Sequence, residues 1–296
     1  MIWLVGDKGM LGTELSAALA ASGLEFSGTD RDVDILDPRA IGAFAAGKRI
    51  DWIVNCAAYT AVDRAEDEVD LCRAVNADGP ENLARAASAA GAKLLHLSTD
   101  YVFDGSGSEP YREDDSVSPL GSYGRSKAEG EDRVRSSCPE HLIVRTAWLY
   151  GRHGPNFVYA MLKLMRTKER IGVVADQRGT PTNAADLAAA ILAMLRAPRT
   201  MYGTFHFANL GETNRREFAV AILRLGREHG ILEHDCTVEA LATAEYPTKA
   251  KRPPYSVLSK DKIMAAYGLE IPAWEDSLSV FIGDLARSDT AERRWL

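Results

Sequence analysis

Tyr123 and Lys127 are the two side chains whose types and spacing most clearly suggest catalysis. Residues four apart on a helix lie on one face, so the ammonium of Lys127 can lie beside the phenol of Tyr123. A fixed cation favours the phenolate, and we expect it to move the pKa of Tyr123 from about 10 toward neutral pH. A tyrosine tuned in this way can donate or accept a proton during a reaction.

The same spacing also occurs at Tyr159 and Lys163, so the pattern alone does not identify a site. Tyr159 lies in an amphipathic run over 157–164, which predicts core packing. Tyr123 instead follows a segment rich in Pro and Gly, and it comes after the polar end of a predicted strand. Open α/β sheets bind ligands at such strand ends. We therefore predict that Tyr123 is catalytic, with Thr99 at the strand end offering a second hydroxyl to a carbonyl oxygen.

A glycine-rich turn, GDKGMLG over 6–12, follows the first predicted strand and opens a helix. Bare backbone and a helix N-terminus at that position predict a site for the pyrophosphate of a dinucleotide. Asp30 ends the next strand, where an acidic residue commonly bonds a ribose hydroxyl, whereas Arg31 can accept a 2′-phosphate. NADH and NADPH therefore both stay open. The residues expected at this cofactor are Gly6, Lys8, Gly9, Met10, Leu11, Gly12, Asp30, Arg31, Asn55, Ala57, Ala58 and Tyr59.

The elements that must position these residues alternate between short apolar runs and helical patterns, which indicates βαβ units. We predict a Rossmann-like doubly wound parallel sheet over 1–150 and a smaller mixed α/β substrate-binding lobe over 151–296. Later segments, near 176–200, are expected to return to the first domain. The predicted strands of the first half are 2–5, 24–29, 52–55, 93–98 and 142–146, and its helices are 10–22, 69–90 and 122–138. In the second half we predict helices near 156–168, 184–197, 215–229 and 274–286, strand-like runs at 171–175 and 204–208, and a Pro-rich ordered loop at 246–255.

The composition restricts the class of protein. The chain has 296 residues, 46% of them hydrophobic, and a net charge of −7, which argues against nucleic-acid and anionic-membrane partners. Its cysteines, Cys56, Cys72, Cys138 and Cys236, lack zinc-ligand spacing, and we expect reduced thiols. The first residues, MIWLVG, predict a buried strand and not a secretion signal, and no run is long enough for a membrane span. We expect a soluble, cytoplasmic protein.

Together these residues make the chain similar to the extended short-chain dehydrogenase/reductase superfamily and, within it, to the dTDP-4-dehydrorhamnose reductases. The resemblance runs through nearly the whole length. The matching segments are GDKGMLGTEL (6–15), VNCAAYTAVDRAE (54–66), STDYVFDG (98–105), YGRSKAEGE (123–131), RTAWLYG (145–151), DQRGTPT (176–182) and YPTKAKRP (246–253). The first and fourth of these segments fit any extended member, whereas the third, fifth and seventh are more specific to the reductases.

The resemblance implies NAD(P)H-dependent reduction of the C4 carbonyl of dTDP-4-dehydro-β-L-rhamnose to dTDP-β-L-rhamnose. It makes Tyr123 the proton donor and Lys127 the residue that tunes it and holds the nicotinamide ribose, while Thr99 completes the triad. The chain's negative charge also requires a local cation for a diphosphate, for which Arg252 is the choice. With Thr99 and Tyr123, the implied substrate residues are Val62, Asp100, Tyr101 and Trp148 at the deoxysugar and Asn156, Gln177, Pro181 and Arg252 at the nucleotide diphosphate.

Some members of the family form a metal-bridged dimer through three acidic side chains. Glu14 and Asp284 match two of these positions, but the third falls at Ala185, with Asp186 one residue further on. A missing carboxylate weakens a site for a hard cation such as Mg²⁺. Metal dependence and the choice between monomer and homodimer therefore stay open.

Two alternatives remain beside the reductase. One is another extended-family sugar-nucleotide reductase or epimerase, which as an epimerase would retain its dinucleotide through turnover. The other is a non-catalytic, dinucleotide-binding regulatory subunit, since the resemblance also reaches the regulatory subunit of methionine adenosyltransferase. The presence of Thr99, Tyr123 and Lys127 together argues against the regulatory subunit, because a binding module has no need of a tuned phenol.

Overall fold

A six-stranded, fully parallel sheet forms the centre of the molecule. Residues 1–233 and 235–288 are described by the computed structural model, so the last residues of the predicted second lobe, 289–296, lie outside the described residues. The strands of this sheet are β1 (Ile2–Val5), β2 (Phe26–Thr29), β3 (Trp52–Asn55), β4 (Lys93–Thr99), β5 (His141–Thr146) and β10 (Gly203–His206). The spatial order of the six strands is β10-β5-β4-β3-β1-β2, and the order of the chain reverses between β1 and β3.

Helices cover both faces of this sheet because its strands are apolar on both sides. Ile2 and Leu4 of β1 belong to the core under one set of helices, and Trp3 and Val5 belong to the core under the other. The first set is α1 (Met10–Ala21), α7 (Ala184–Arg196) and α9 (Asp261–Tyr267). The second set is α2 (Pro38–Ala45), α4 (Gly79–Ala90) and α5 (Ser122–Ser137). The predicted doubly wound α/β fold is confirmed.

A second core lies beside the sheet and contains side chains of three helices and two strands. The helices are α6 (Phe157–Met165), α8 (Arg215–Glu228) and α10 (Trp274–Arg287), and the strands are β7 (Arg170–Val174) and β12 (Thr237–Leu241). Two further short pairs complete the strands: β6 (Leu149–Tyr150) with β9 (Thr182–Asn183), and β8 (Arg178–Gly179) with β11 (Thr213–Asn214). None of the described helices combines the length and the apolar character needed to cross a bilayer.

The helix predicted over 69–90 is interrupted. It consists of α3 (Val69–Arg73), one π-helical turn (Ala74–Asp78) and then α4. Asn76, within the π turn, accepts a hydrogen bond from the backbone N–H of Tyr59 (2.9 Å) and donates one to its carbonyl (3.0 Å). The π turn thus directs the side chain of Asn76 at the loop that contains Tyr59. Single π turns are often found at functional sites.

Two more differences concern the place of a predicted strand and a helix that was not predicted. The strand-like run near 204–208 is β10, and it extends the main sheet beside β5 instead of lying in the smaller lobe. The short helix α2 was not predicted, although Asp37 caps it by accepting the N–H of Arg39 (2.8 Å) and Pro38 opens it. Its eight residues present too few turns for an apolar period to stand out.

Candidate active site

A cleft of about 500 Å³ opens at the carboxyl ends of the central strands, next to the point where the strand order reverses. Parallel sheets bind ligands in this position because the loops after neighbouring strands meet there. From the predicted cofactor and substrate sets, the residues lining it are Gly9, Met10, Leu11, Ala58, Val62, Thr99, Asp100, Tyr101, Tyr123, Lys127, Trp148 and Arg252.

Tyr123 lies in the first turn of α5, held close to the short 3-10 turn that follows β4. Gly124 makes the approach possible, because a Cβ there would lie 2.2 Å from the carbonyl oxygen of Tyr101. The rings of Tyr101 and Tyr123 meet edge to face with centroids 5.6 Å apart. The start of α5 therefore fits against the end of β4 only with glycine next to the tyrosine.

We predict that Gly124→Ala lowers kcat about tenfold or more, because the added methyl group must push the start of α5, and the phenol with it, away from the 3-10 turn. Gly42→Ala in α2 is the matched control, since a Cβ there has nothing within 4 Å. That control should gain up to about 1 kcal/mol in free energy of unfolding and keep its activity. Steady-state kinetics and urea unfolding of both variants measure this, and full activity of Gly124→Ala would contradict it.

Thr99 and Asp100 form a buried polar pair beneath the phenol. The Thr99 hydroxyl donates to Asp100 Oδ1 (3.0 Å) and accepts the N–H of Tyr101 (3.2 Å). Burial raises the pKa of Asp100 to about 6, although its hydrogen bonds with Ser256 and Thr99 oppose the rise. These contacts fix the position of the Thr99 hydroxyl at the wall of the cleft.

The predicted fall in the pKa of Tyr123 toward neutral pH is wrong. Burial raises the pKa of Tyr123 above its usual value, and the hydrogen bond with Thr99 offsets only part of the rise. Lys127 does not lower the pKa of Tyr123 as predicted, because its amine lies deep against β4, where it donates to the carbonyl of Leu97 (2.6 Å). Tyr123 is therefore kept as a neutral phenol, which is the form that donates a proton.

Lys127 is 2% exposed, and burial lowers its pKa to about 8. One turn further along α5, Glu131 locks the helix to two strands. It accepts the hydroxyl of Ser98 on β4 (2.5 Å) and pairs with Arg145 on β5 (2.7 Å), and both members of the ion pair are almost fully buried. The face of α5 that carries Tyr123 and Lys127 is thus held rigidly over the sheet.

A second cleft, of about 640 Å³, lies on the smaller lobe and adjoins the first. Phe157, Arg215 and Arg252 line both clefts. Arg252 donates to the hydroxyl of Tyr101 (3.1 Å) and pairs with Asp63 (2.9 Å). Two cations therefore stand where the clefts join.

Arg215 has no hydrogen-bond or ion-pair partner among the described residues. Its guanidinium lies over the ring of Trp148, 3.6 Å from the centroid. Among those residues Trp148 alone, glycine apart, has a positive φ (46°), and Gly179 packs so closely under its indole that a Cβ there would lie 2.6 Å from the ring. The strained backbone and the glycine place the indole where it supports an unpaired cation.

The glycine-rich turn fits the phosphates of a dinucleotide. Gly6 has a φ of 79°, and a Cβ on Gly12 would lie 2.0 Å from the carbonyl oxygen of Gly6, so both positions require glycine. The N-cap of α1, Gly9, makes no side-chain hydrogen bond, and the first turn carries no acidic residue. The N–H groups of that turn are therefore available to an anion at the cleft.

Several predicted residues do not line the first cleft. Lys8 and Arg31 are exposed, Asp30 is half-buried at the end of β2, and the hydroxyl of Tyr59 donates to Glu68 (2.5 Å). Asn55 accepts the N–H of Ala57 (3.0 Å). In the substrate set, Gln177 lines the second cleft, Asn156 caps α6 by accepting the N–H of Tyr159 (3.2 Å), and Pro181 is buried between β8 and β9.

The metal candidates share a third cleft, of about 690 Å³, lined by Glu14, Ala185, Asp186 and Asp284. Asp284 pairs with Arg152 and Arg287 (both 2.6 Å). Asp186 accepts hydrogen bonds from Ser277 (2.5 Å) and Asn209 (2.7 Å). Over 1–233 and 235–288, no three His, Cys, Asp or Glu side chains are grouped to hold a metal ion. Within one subunit, Asp186 and Asp284 are therefore engaged by neighbouring side chains and not by a metal ion.

Sequence reasoning missed Arg215 and His96. Arg215 follows Asn214, whose side chain and that of Glu217 form a capping box, so the start of α8 was readable from the sequence. Nothing in the sequence places that helix start against Trp148. His96 lies in the middle of an apolar strand, where a single histidine carries no pattern of its own.

Comparisons with known proteins agree on one family. The model described as the RmlD substrate binding domain matches residues 1–287. The dTDP-4-dehydrorhamnose reductase of Streptomyces griseus is 44% identical over 284 residues, 94% of this chain and 91% of that protein. The crystal structure of a dTDP-4-dehydrorhamnose reductase from Clostridium acetobutylicum is 42% identical, covers 97% of this chain and 99% of its own, and superposes with a TM-score of 0.90. One from Bacillus anthracis in complex with NADP is 36% identical over 96% of this chain and 98% of its own, also with a TM-score of 0.90.

Proposed function

The chain belongs to the dTDP-4-dehydrorhamnose reductase family, and from this premise we propose how its clefts reduce the C4 carbonyl of dTDP-4-dehydro-β-L-rhamnose. The protein is an NAD(P)H-dependent oxidoreductase of dTDP-L-rhamnose biosynthesis. One arrangement supports the proposal above the others. A phenol, a hydroxyl and a buried amine meet in a cleft that continues, past two cations, into a second cleft.

The glycine-rich turn and the start of α1 would hold the phosphates of NADP(H) or NAD(H). Asp30 and Arg31 stand where the adenosine ribose is expected, and Lys127 would hold the nicotinamide ribose. The chemistry that such a cofactor supplies when bound is hydride donation. The B. anthracis relative binds NADP, which favours NADP(H) here as well.

Tyr123 would donate its proton to the C4 oxygen of the substrate. A phenol with a raised pKa stays protonated until charge develops on that oxygen, and proton transfer then neutralises the alkoxide. Thr99, held by Asp100 and the N–H of Tyr101, would direct its hydroxyl at the same oxygen. Val62, Tyr101 and Trp148 enclose the deoxysugar in this arrangement.

Arg215 and Arg252 would bind the diphosphate, because they stand where the catalytic cleft meets the second cleft. Arg215 forms no close ion pair within the described part of the chain, and a diphosphate supplies one. Gln177 then faces the nucleoside in the second cleft.

The test is the loss of reduced-nicotinamide absorbance when purified protein is mixed with dTDP-4-dehydrorhamnose and either NADPH or NADH. Substrate-dependent oxidation of either cofactor, with dTDP-rhamnose as product, would support the proposal and rank the two cofactors. A protein that binds the dinucleotide but consumes none would instead be an epimerase or a regulatory subunit.

We predict that Asp100→Asn stabilises the fold at alkaline pH. The pKa of Asp100 rises on folding from 3.8 to about 6, so the fold favours the protonated acid; stability is greatest below pH 3.8 and is lost as the pH rises through about 6. The loss is about 3 kcal/mol at 1.36 kcal/mol per unit. Urea unfolding should show Asp100→Asn about 1–3 kcal/mol more stable than wild type near pH 8, with a smaller difference near pH 4. Asp114→Asn, at an exposed site, is the control, and equal differences at both pH values would refute the assignment.

We propose a monomer or a homodimer, and we assign no step to a metal ion. Sedimentation with Mg²⁺ and with a chelator distinguishes the two states and shows whether the third cleft depends on a cation. The reduced cofactor and the nucleotide sugar are intracellular metabolites, so we propose that the protein works in the cytoplasm.

A further inference from the structure

His96 is a fully buried histidine that the mechanism above does not use. It lies on β4, and Asn55 on β3 is its cross-strand partner in the parallel register. One ring nitrogen, Nδ1, is 3.1 Å from Asn55 Nδ2, and the other, Nε2, is 3.5 Å from the amine of Lys127. The ring therefore connects the loop after β3 to the catalytic lysine.

The hydrogen bonds of Asn55 determine which nitrogen of His96 carries the proton. Asn55 Oδ1 accepts the backbone N–H of Ala57 (3.0 Å), so the amide group must direct its NH₂ at His96. Nδ1 then has to accept, because an N–H cannot receive another N–H. Burial keeps the ring neutral by lowering its pKa well below the usual value. The single proton of the ring is therefore on Nε2 and points at Lys127.

An N–H directed at Lys127 disfavours the ammonium and favours the neutral amine. Lys127 already donates to the carbonyl of Leu97 (2.6 Å). A neutral amine can donate there and accept from His96 with its lone pair, whereas an ammonium has only donors and would meet a second donor. His96 thus acts on Lys127 in the same direction as burial does.

No other group facing Lys127 reverses this effect. Glu131 on α5 raises the pKa of Lys127, but burial outweighs this effect, and the Glu131 oxygens are occupied by Arg145, Arg135 and Ser98. Burial raises the thiol pKa of Cys56, after β3, to about 12 and also raises that of Cys72 on α3, so both thiols are neutral. Tyr123 is neutral as well, and Asp100, in the turn after β4, is bound to Thr99. The groups that face Lys127 from every packed element are thus Glu131, Tyr123, Cys56, Cys72, His96 and Asp100.

We propose that His96 is a positioning residue for Lys127, oriented by Asn55 so that its Nε2–H makes the lysine a readier proton donor. The consequence for turnover rests on the proposed reductase function. When Tyr123 has given its proton to the C4 oxygen, a proton from the Lys127 ammonium reaches the phenolate through water in the cleft that both residues line. The resulting amine accepts a hydrogen bond from His96 until solvent returns a proton to it. A lysine of ordinary basicity would give up its proton with less driving force and so slow the recovery of the phenol.

The first test measures the protonation of the His96 ring directly. It requires no enzymatic activity, so its result is independent of the reductase assay. The chain has six histidines, and ¹⁵N-labelled imidazoles in the intact protein report the tautomer of each. We expect a neutral His96 with Nε2 protonated and Nδ1 bare from about pH 6 to 9, and an Nε2 shift that follows the titration of Lys127 and is lost in Lys127→Met. A ring protonated on Nδ1, or an imidazolium, would overturn the proposal.

The second test measures Lys127 in His96→Phe, which keeps a buried ring and removes the N–H. We expect the pKa of Lys127, followed through its ¹³Cε resonance, to rise by about half a unit to one unit, with the corresponding limb of the kcat/KM profile shifting by the same amount. His206→Phe is the matched control, because His206 is equally buried but contacts Arg145 and the carbonyl of Tyr111. An unchanged Lys127 in His96→Phe, or equal shifts in both variants, would overturn the proposal. Should His96→Phe fail to fold, the tautomer in the wild-type protein decides.

Discussion

Tyr123→Phe should bind NADPH as tightly as the wild-type protein and turn over about a thousandfold more slowly. The substitution removes one hydroxyl from the cleft and leaves the ring, its contact with Tyr101 and the glycine-rich turn in place. Without the phenolic proton, the alkoxide forming on C4 has only the Thr99 hydroxyl to stabilise it, and general acid catalysis of this kind contributes about 10²–10⁴-fold. Dinucleotide titration and single-turnover kinetics separate the two effects.

The chain provides a matched control for this variant in the second Tyr-x-x-x-Lys pattern. Tyr159 is 3% exposed in the lobe core and donates its hydroxyl to the carbonyl of Arg152 (3.1 Å), while Lys163 is exposed. Tyr159→Phe should lose about 1 kcal/mol of stability with its hydrogen bond and keep its turnover. Comparable rates in the two Phe variants would remove Tyr123 from the mechanism.

Arg215→Gln should raise the KM for the nucleotide sugar about 10- to 100-fold, with a smaller change in kcat and none in dinucleotide affinity. A charge-assisted hydrogen bond to phosphate contributes about 1.5–3 kcal/mol, which corresponds to that range. Arg215 forms no ion pair within the described residues, although Asp100 attracts it, so the loss of phosphate binding should dominate the result. Arg252→Ala should act in the same direction, although that variant also releases Asp63 and Tyr101.

Arg224→Gln serves as the control for the Arg215 variant because it lies on the same helix. Arg224 is exposed and pairs with Glu228 one turn away, so its loss should leave KM within about twofold. An Arg215→Gln enzyme with unchanged KM and lowered stability would show that the guanidinium only supports the Trp148 ring. Partial recovery in Arg215→Lys would support a role for the charge itself.

Local patterns were sufficient to predict the architecture and to nominate part of the candidate site. The alternation of apolar runs and helical stretches predicts the parallel sheet, and the glycine turn marks where its first helix begins. Tyr123 and Lys127 are four residues apart, so one helical face brings them together. The prediction of an uninterrupted helix over 69–90 was wrong. The π turn that interrupts it is stabilised by hydrogen bonds between Asn76 and Tyr59, a residue outside the helix.

By itself the sequence determined the family, and it predicted the dinucleotide turn and the pair Tyr123 and Lys127, because these depend on residue types at short spacings. Only the tertiary structure decided that the pKa of Tyr123 rises, that Arg215 lies on Trp148 without an ion pair in the described part of the chain, and that Asn55 orients His96 toward Lys127. Desolvation and strand register depend on residues far apart in the chain. A local sequence pattern does not indicate which distant groups will enclose a side chain.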